Sequence, residues 1–190
     1  MALLGHRLRK AGLDVSLFGY SVSWETTEEC AGRLLTKARE VAASGEGWVL
    51  VGHSFGAVLS RLILPKLGHQ RPACCLFLAP PSRACMLARM VHGHTPLFRW
   101  LTRDAGRLLA DPGFMRSLPV PDVPIRIYAG TAGPRGKLSP FGDEPNDAIL
   151  TVDDTRIGAG ETLVEVPSIH SLIMNSAQVA RDIVGFTKRV

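Results

Sequence analysis

Trp48-Val49-Leu50-Val51 is an unbroken apolar run that stops at Gly52-His53-Ser54-Phe55-Gly56, and a helical pattern starts directly behind it. An apolar run without polar alternation suits a strand buried on both faces. Val58, Leu59, Leu62 and Ile63 fall at helical spacing, and Gly68 is a natural stop, so a helix spans about Phe55 to Leu67. A chain that turns from buried strand to helix within five residues requires a sheet with helices against it. Three more short apolar runs follow: Cys74–Ala79, closed by Pro80 and Pro81, then Val123–Ala129 and Thr162–Val166. Strands alternating with helices predict an α/β fold, a mostly parallel sheet covered by helices on both faces.

Upstream of the turn, Leu3, Leu4, Arg7, Leu8 and Ala11 share a helical face, and Gly12 ends that helix. Asp14–Tyr20 reads as a short strand. Thr26 followed by Glu29 forms a capping box, opening a helix with Ala31, Leu34, Leu35, Ala38, Val41 and Ala42 on its apolar stripe, ended by Gly45 and Gly47. Downstream, Ser82–Asp122 carries apolar helical pieces around Met86–Val91 and Leu97–Leu109, broken by glycines and prolines. A long irregular loop, Gly130–Asp147, precedes a short helix over Val152–Arg156. Asn175 with Gln178 resembles a capping box for a last helix through Val179, Ile183 and Phe186. The expected organisation is one domain over 1–190, with 82–122 inserted in it as a helical lid or cap.

The chain has 190 residues, 46% hydrophobic and 21% charged, a globular balance. No run of eighteen apolar residues occurs, so stable membrane insertion is not expected. The apolar stretch at the start is too short for a secretory signal, and its basic residues follow it; a cytoplasmic location is the expectation. The net charge of +5 comes from scattered arginines with no dense tract, which argues against a nucleic-acid partner. Arg99, Arg103 and Arg107 share one helical face; a solvated face explains them better than a membrane-binding one. None of Cys30, Cys74, Cys75 and Cys85 has zinc-ligand spacing, so neither metal nor cofactor is expected. Cys74 and Cys75 are neighbours within a strand, which sends them to opposite faces of the sheet as small buried hydrophobes.

Gly52 to Gly56 matches G-x-S-x-G in a strand-to-helix setting, where a strained turn exposes the serine hydroxyl and the helix N-terminus faces a developing oxyanion. The competing interpretation is a glycine-rich turn whose serine only caps the helix. A nucleophilic Ser54 needs a base. His170, soon after the last strand, lies at the C-terminal edge of the sheet with Ser54. His53 sits inside the elbow and points away from the serine; His6 and His69 lie on helix surfaces or ends, and His92 and His94 lie in the insertion. The acid should follow the Val123–Ala129 strand. Asp143, Glu144, Asp147, Asp153 and Asp154 are all in range, and composition does not choose among them.

These features resemble the α/β-hydrolase superfamily, in particular its small bacterial esterase and lipase-like branch. The resemblance covers nearly the whole chain. It is most specific at Leu50 to Gly56, at Pro145-Asn146-Asp147 and at Ser168-Ile169-His170. It implies Ser54 as nucleophile, Asp147 as acid, His170 as base and the Phe55 N–H as one oxyanion donor, with Gly52, His53 and Gly56 shaping the elbow. It also implies a cap at 82–122 lining an acyl pocket. The implied activity is esterase or lipase action on a small-molecule or lipid ester through an acyl-enzyme.

One departure is expected to matter. Related proteins carry an earlier strand ending in His-Gly, which lies between those matching Asp14–Tyr20 and Trp48–Val51 and supplies a second oxyanion donor. Here the sequence starts in the helix after it. The expectations are an incomplete sheet, low stability as a monomer, weak ester hydrolysis, and an exposed sheet edge open to homo-oligomer formation. The alternative reading is a weak or inactive truncated hydrolase serving as a binding or regulatory protein.

Overall fold

The structure, a computed structural model, describes residues 1–45, 47–84, 103–137, 139–158 and 160–189. Four strands, β1 (Val49–His53), β2 (Cys74–Leu78), β3 (Ile125–Gly130) and β4 (Thr162–Val166), form one parallel sheet in the order of the sequence. The register runs Leu50 to Cys75, Cys75 to Ile125 and Ile127 to Leu163. Every residue of β2 is buried, as its uninterrupted apolar sequence requires of a strand with helices on both sides. The described helices are α1 (Ala2–Lys10), α2 (Thr27–Ala42), α3 (Phe55–Ile63), α4 (Arg103–Ala110), α5 (Pro112–Ser117) and α6 (Ala177–Thr187).

The two faces of the sheet bury separate cores. Cys75, Phe77 and Ile127 meet α2, α3 and the start of α4 on one face; Cys74, Leu76, Leu78 and Tyr128 meet α1 and α6 on the other. The adjacent cysteines therefore part company as strand alternation predicts. Burial pushes the Cys74 thiol up to about 11 and raises Cys75 further. Among the described residues Cys30, Cys74 and Cys75 are free.

Local signals place most elements. Thr26 and Glu29 make the reciprocal capping box, with the Glu29 N–H donating to Thr26 Oγ1 at 3.2 Å and the Thr26 N–H to Glu29 Oε2 at 2.7 Å. Gly12 follows α1 at φ +89°, the left-handed conformation that closes a helix. At the insertion, both carboxylate oxygens of Asp104 accept from the Thr27 N–H, at 3.1 and 3.0 Å, tying α4 to the start of α2. Buried Arg61 of α3 donates to the carbonyls of Pro119 and Leu118 at 2.8 and 2.7 Å, and burial brings its pKa down to about 10. The rest of the expected cap, residues 85–102 with Cys85, His92, His94 and Arg99, lies outside the described residues.

Four expectations are corrected. The helix expected over Phe55 to Leu67 ends at Ile63, where Pro65 follows, and gives way to 3₁₀ turns at Leu64–Lys66 and Gly68–Gln70. Asp14–Tyr20 has no regular secondary structure and pairs with no described strand. Two of its carbonyls are taken by side chains instead: Arg9 donates to Val15 O at 2.6 Å and Arg33 to Gly19 O at 3.1 Å. Strand-like sequence alone does not make a strand; a neighbour at hydrogen-bonding distance does. Asn175 does not cap the last helix. It ends a 3₁₀ stretch, His170–Asn175, and Ser176 caps α6 by accepting from the Val179 N–H at 3.3 Å. The short helix over Val152–Arg156 shrinks to one 3₁₀ turn, Asp153–Thr155.

Candidate active site

β1 delivers Ser54 to the C-terminal edge of the sheet. Ser54 holds φ +51° and ψ −121°, an unfavourable conformation for a residue with a side chain, and strain of this kind collects at functional sites. Gly52 makes the turn possible: a Cβ there would stand 2.9 Å from the Ala57 nitrogen. Gly56 is a different case, since a Cβ there would meet only the Tyr20 hydroxyl at 3.6 Å, ordinary contact. The expected crowding of strand against helix thus rests on Gly52 alone. The Ser54 N–H donates to Leu78 O at 2.9 Å, fixing the elbow to β2. Phe55 opens α3, where first-turn N–H groups have no partner within the helix.

His170 and Asp147 converge on this serine. His170 Nε2 lies 2.8 Å from Ser54 Oγ, and Nδ1 lies 2.7 Å from Asp147 Oδ2. The other carboxylate oxygen of Asp147 accepts from the Ile149 and Leu150 N–H groups at 2.9 and 2.7 Å. The backbone joins the same two residues, as the His170 N–H donates to Asp147 O at 2.8 Å. Asp147 is 1% exposed, so its charge is satisfied by fixed donors rather than by water. The competing acids are engaged or exposed. Asp153 pairs with Arg83 at 2.5 Å, Asp154 accepts from the Thr151 N–H at 3.2 Å, and Asp143 and Glu144 are exposed.

Sequence reasoning did not foresee the residues that hold the acid loop. Asn146 is fully buried; its amide donates to Pro134 O and Glu144 O at 2.8 and 2.9 Å, and its Oδ1 accepts from the Ala148 N–H at 2.9 Å. Gly133 leaves room for it, because a Cβ there would overlap Asn146 Oδ1 and the Ala148 nitrogen. Gly130 does the same for the histidine loop: a Cβ would come within 2.5 Å of Ser168 O. The signal was in the sequence, two glycines at the end of β3 followed by an Asn-Asp pair, but only the fold shows what they face.

His53 reaches the backbone of His170. Its Nε2 donates to the His170 carbonyl at 3.1 Å, and the two rings lie 5.1 Å apart. Since a carbonyl only accepts, the proton of neutral His53 sits on Nε2. Burial, and then the nearby His170, lower the His53 pKa to about 4. His6 and His69 are exposed and take no part. Among the described residues no group of histidine, cysteine or acidic side chains could hold a metal ion.

A strand, a strained serine turn and a following helix in a parallel sheet define the class: the chain has the α/β-hydrolase fold. A Bacillus licheniformis lipase in its mature form superposes with a TM-score of 0.73 at 18% identity, covering 97% of this chain and 82% of that one. A lipolytic enzyme from the metagenome-derived LipS and LipT pair gives 0.68 at 11% identity, covering 100% and 87%. A monoacylglycerol lipase of Paleococcus ferrophilus gives 0.60 at 16%, covering 96% and 86%. No protein-family model and no curated protein sequence matches the chain. No helix of the described residues is long and apolar enough to cross a membrane.

Proposed function

We propose that the chain is a serine hydrolase that cleaves carboxylic esters of small molecules or lipids through an acyl-enzyme. The observation that carries this reading is the continuous chain from Ser54 Oγ to His170 Nε2 and from His170 Nδ1 to Asp147. His170 takes the Ser54 proton as Oγ attacks the ester carbonyl. The tetrahedral oxyanion lies against the Phe55 N–H, at the positive end of α3. Collapse breaks the ester bond, and the imidazolium returns its proton to the leaving alcohol. Water, deprotonated by His170, then attacks the acyl carbonyl, and Ser54 leaves with that proton. Asp147 keeps the Nδ1 proton in place and offsets the imidazolium charge.

Fold similarity to lipases supports the substrate class. The insertion at 82–122 serves in this reading as a cap. In its described part Leu109 and Ala110 pack against Leu150, whose N–H donates to Asp147. The three buried free thiols support a reducing, cytoplasmic setting. The test is labelling with a fluorophosphonate and turnover of a short-chain p-nitrophenyl ester. Wild type is expected to label at Ser54 and turn over, and Ser54→Ala to do neither. Failure of the folded wild type to label would instead favour a binding or regulatory protein.

A further inference from the structure

The Tyr20 hydroxyl is a donor with nothing to donate to. Among the described residues it makes no hydrogen bond, although Tyr20 is partly buried. Its ring is wedged between two others, stacked on Phe18 and tilted against Phe55, each at a centroid distance of 6.1 Å. Its oxygen stands 3.6 Å from the point that a Cβ on Gly56 would occupy. That puts the hydroxyl against the first turn of α3, one residue beyond the Phe55 N–H. Tyr20, His53 and Gly56 line one cavity, so the phenol opens onto space that reaches both ends of the Ser54-Phe55 pair.

The phenol is also held in place. Arg33 donates to the Gly19 carbonyl at 3.1 Å on one side of Tyr20, and the Ser21 N–H donates to Glu25 Oε2 at 2.9 Å on the other. Arg33 and Glu25 pair with each other, and the Arg33 guanidinium lies over the Phe18 ring at 5.3 Å. Burial, with a smaller push from Cys30, raises the Tyr20 pKa to about 12, so the phenol keeps its proton where a histidine base works. A fixed, protonated donor beside a nucleophile suits a negative charge that appears only during reaction. We propose that the Tyr20 hydroxyl is the second donor to the oxyanion, completing with the Phe55 N–H the hole that a single N–H leaves half built. This role rests on the hydrolase reading above. As Ser54 Oγ bonds to the carbonyl carbon, the serine proton passes to His170 and the carbonyl π pair moves onto oxygen. The Tyr20 O–H donates to that oxygen without giving up its proton. When the pair returns and the alcohol leaves, the hydrogen bond weakens again.

Tyr20→Phe removes the hydroxyl and keeps the ring between Phe18 and Phe55. Its kcat on a short-chain p-nitrophenyl ester is expected to fall by roughly 10²–10³, with KM within about threefold of wild type. A trifluoromethyl ketone, which Ser54 converts to a hemiketal oxyanion, should bind more weakly by about the same factor. Ring-fluorinated tyrosines at position 20 keep the hydroxyl and nearly the same shape, so they should hold kcat within about threefold of wild type. Should Tyr20→Phe not fold, the fluorinated series still reads the bond: each fluorine acidifies the phenol and should lower the hemiketal pKa further. Tyr20→Phe with wild-type turnover overturns the proposal. So does a fall in kcat that leaves ketone affinity unchanged, the mark of a merely structural ring, and so does a hemiketal pKa indifferent to fluorine. Labelling of Ser54 separates the two readings. A wild type that labels and turns over, with Tyr20→Phe its equal, refutes this role alone; a folded wild type that does neither removes the hydrolase reading and this role with it.

Discussion

His53 is held neutral beside His170, which becomes charged in the proposed mechanism, and that arrangement has measurable consequences. Its Nε2–H steadies the His170 carbonyl while its ring stays uncharged above a pH of about 4. Removing the donor leaves a carbonyl unpaired and frees the loop. His53→Ala is therefore expected to lower kcat for ester hydrolysis by roughly ten- to a hundredfold, with KM little changed. His53→Gln, which carries an N–H of similar reach, should restore most of it; equal loss in both would remove the hydrogen bond from the explanation. The depressed pKa also sets a sign. Between 6.5 and about 4 the unfolded chain binds the His53 proton and the folded chain does not, so this residue makes stability fall with pH across that window. Thermal melts of His53→Gln should lack that component. Asp147 acts on the opposite side of the same base. Asp147→Asn should cut turnover by roughly 10⁴, as the loss of the acid does in serine triads, and a kcat within tenfold of wild type would reassign the acid.

At the scale of elements, what could be read from sequence was whatever depends on near neighbours. The Thr26–Glu29 box, Gly12 after α1, Gly45 after α2 and the strand-turn-helix unit at Ser54 are local, and they stand where the residues place them, whereas the helix expected to run to Gly68 stops at Ile63. Ser54 and His170 were legible because parallel strands end on one edge. Asp147 was not separable from its neighbours by composition, since its selection depends on Asn146, Gly130 and Gly133 folding a loop around it. The segment 14–20 misled for the opposite reason: its residues suit a strand, but pairing is a property of the neighbour. The join of α6 to the sheet was also invisible in sequence. Asp182 accepts from Arg126 Nε and Nη2 at 2.6 and 2.9 Å and from the Tyr128 hydroxyl at 2.9 Å. Burial by itself would raise the Asp182 pKa, but these donors outweigh it and hold it below the ordinary carboxylate value. A lowered folded pKa means stabilisation that is present above the unfolded pKa and lost as pH falls through the folded one. Asp182→Asn is expected to cost about 1–3 kcal/mol at neutral pH in denaturant titration, towards the lower end because the carboxylate is partly exposed. The difference from wild type should shrink in acid, and a constant difference would show that charge is not the cause.

For the whole molecule, the two faces of the sheet bury two distinct clusters of side chains. α2 and α3 cover one side, α1 and α6 the other, and Cys75 and Cys74 report one each from adjacent positions. Both thiols are buried and strongly biased against the reactive thiolate, so modification must wait for an opening of the layer that hides them. The chain thereby carries two clocks one residue apart. With a disulfide reagent and peptide mapping, Asp182→Asn should quicken the Cys74 clock, whose layer contains α6, and leave the Cys75 clock at its wild-type pace. If both accelerate together, the layers open as one. If only Cys74 does, the first peptide bond of β2 marks the boundary between two independently breathing halves.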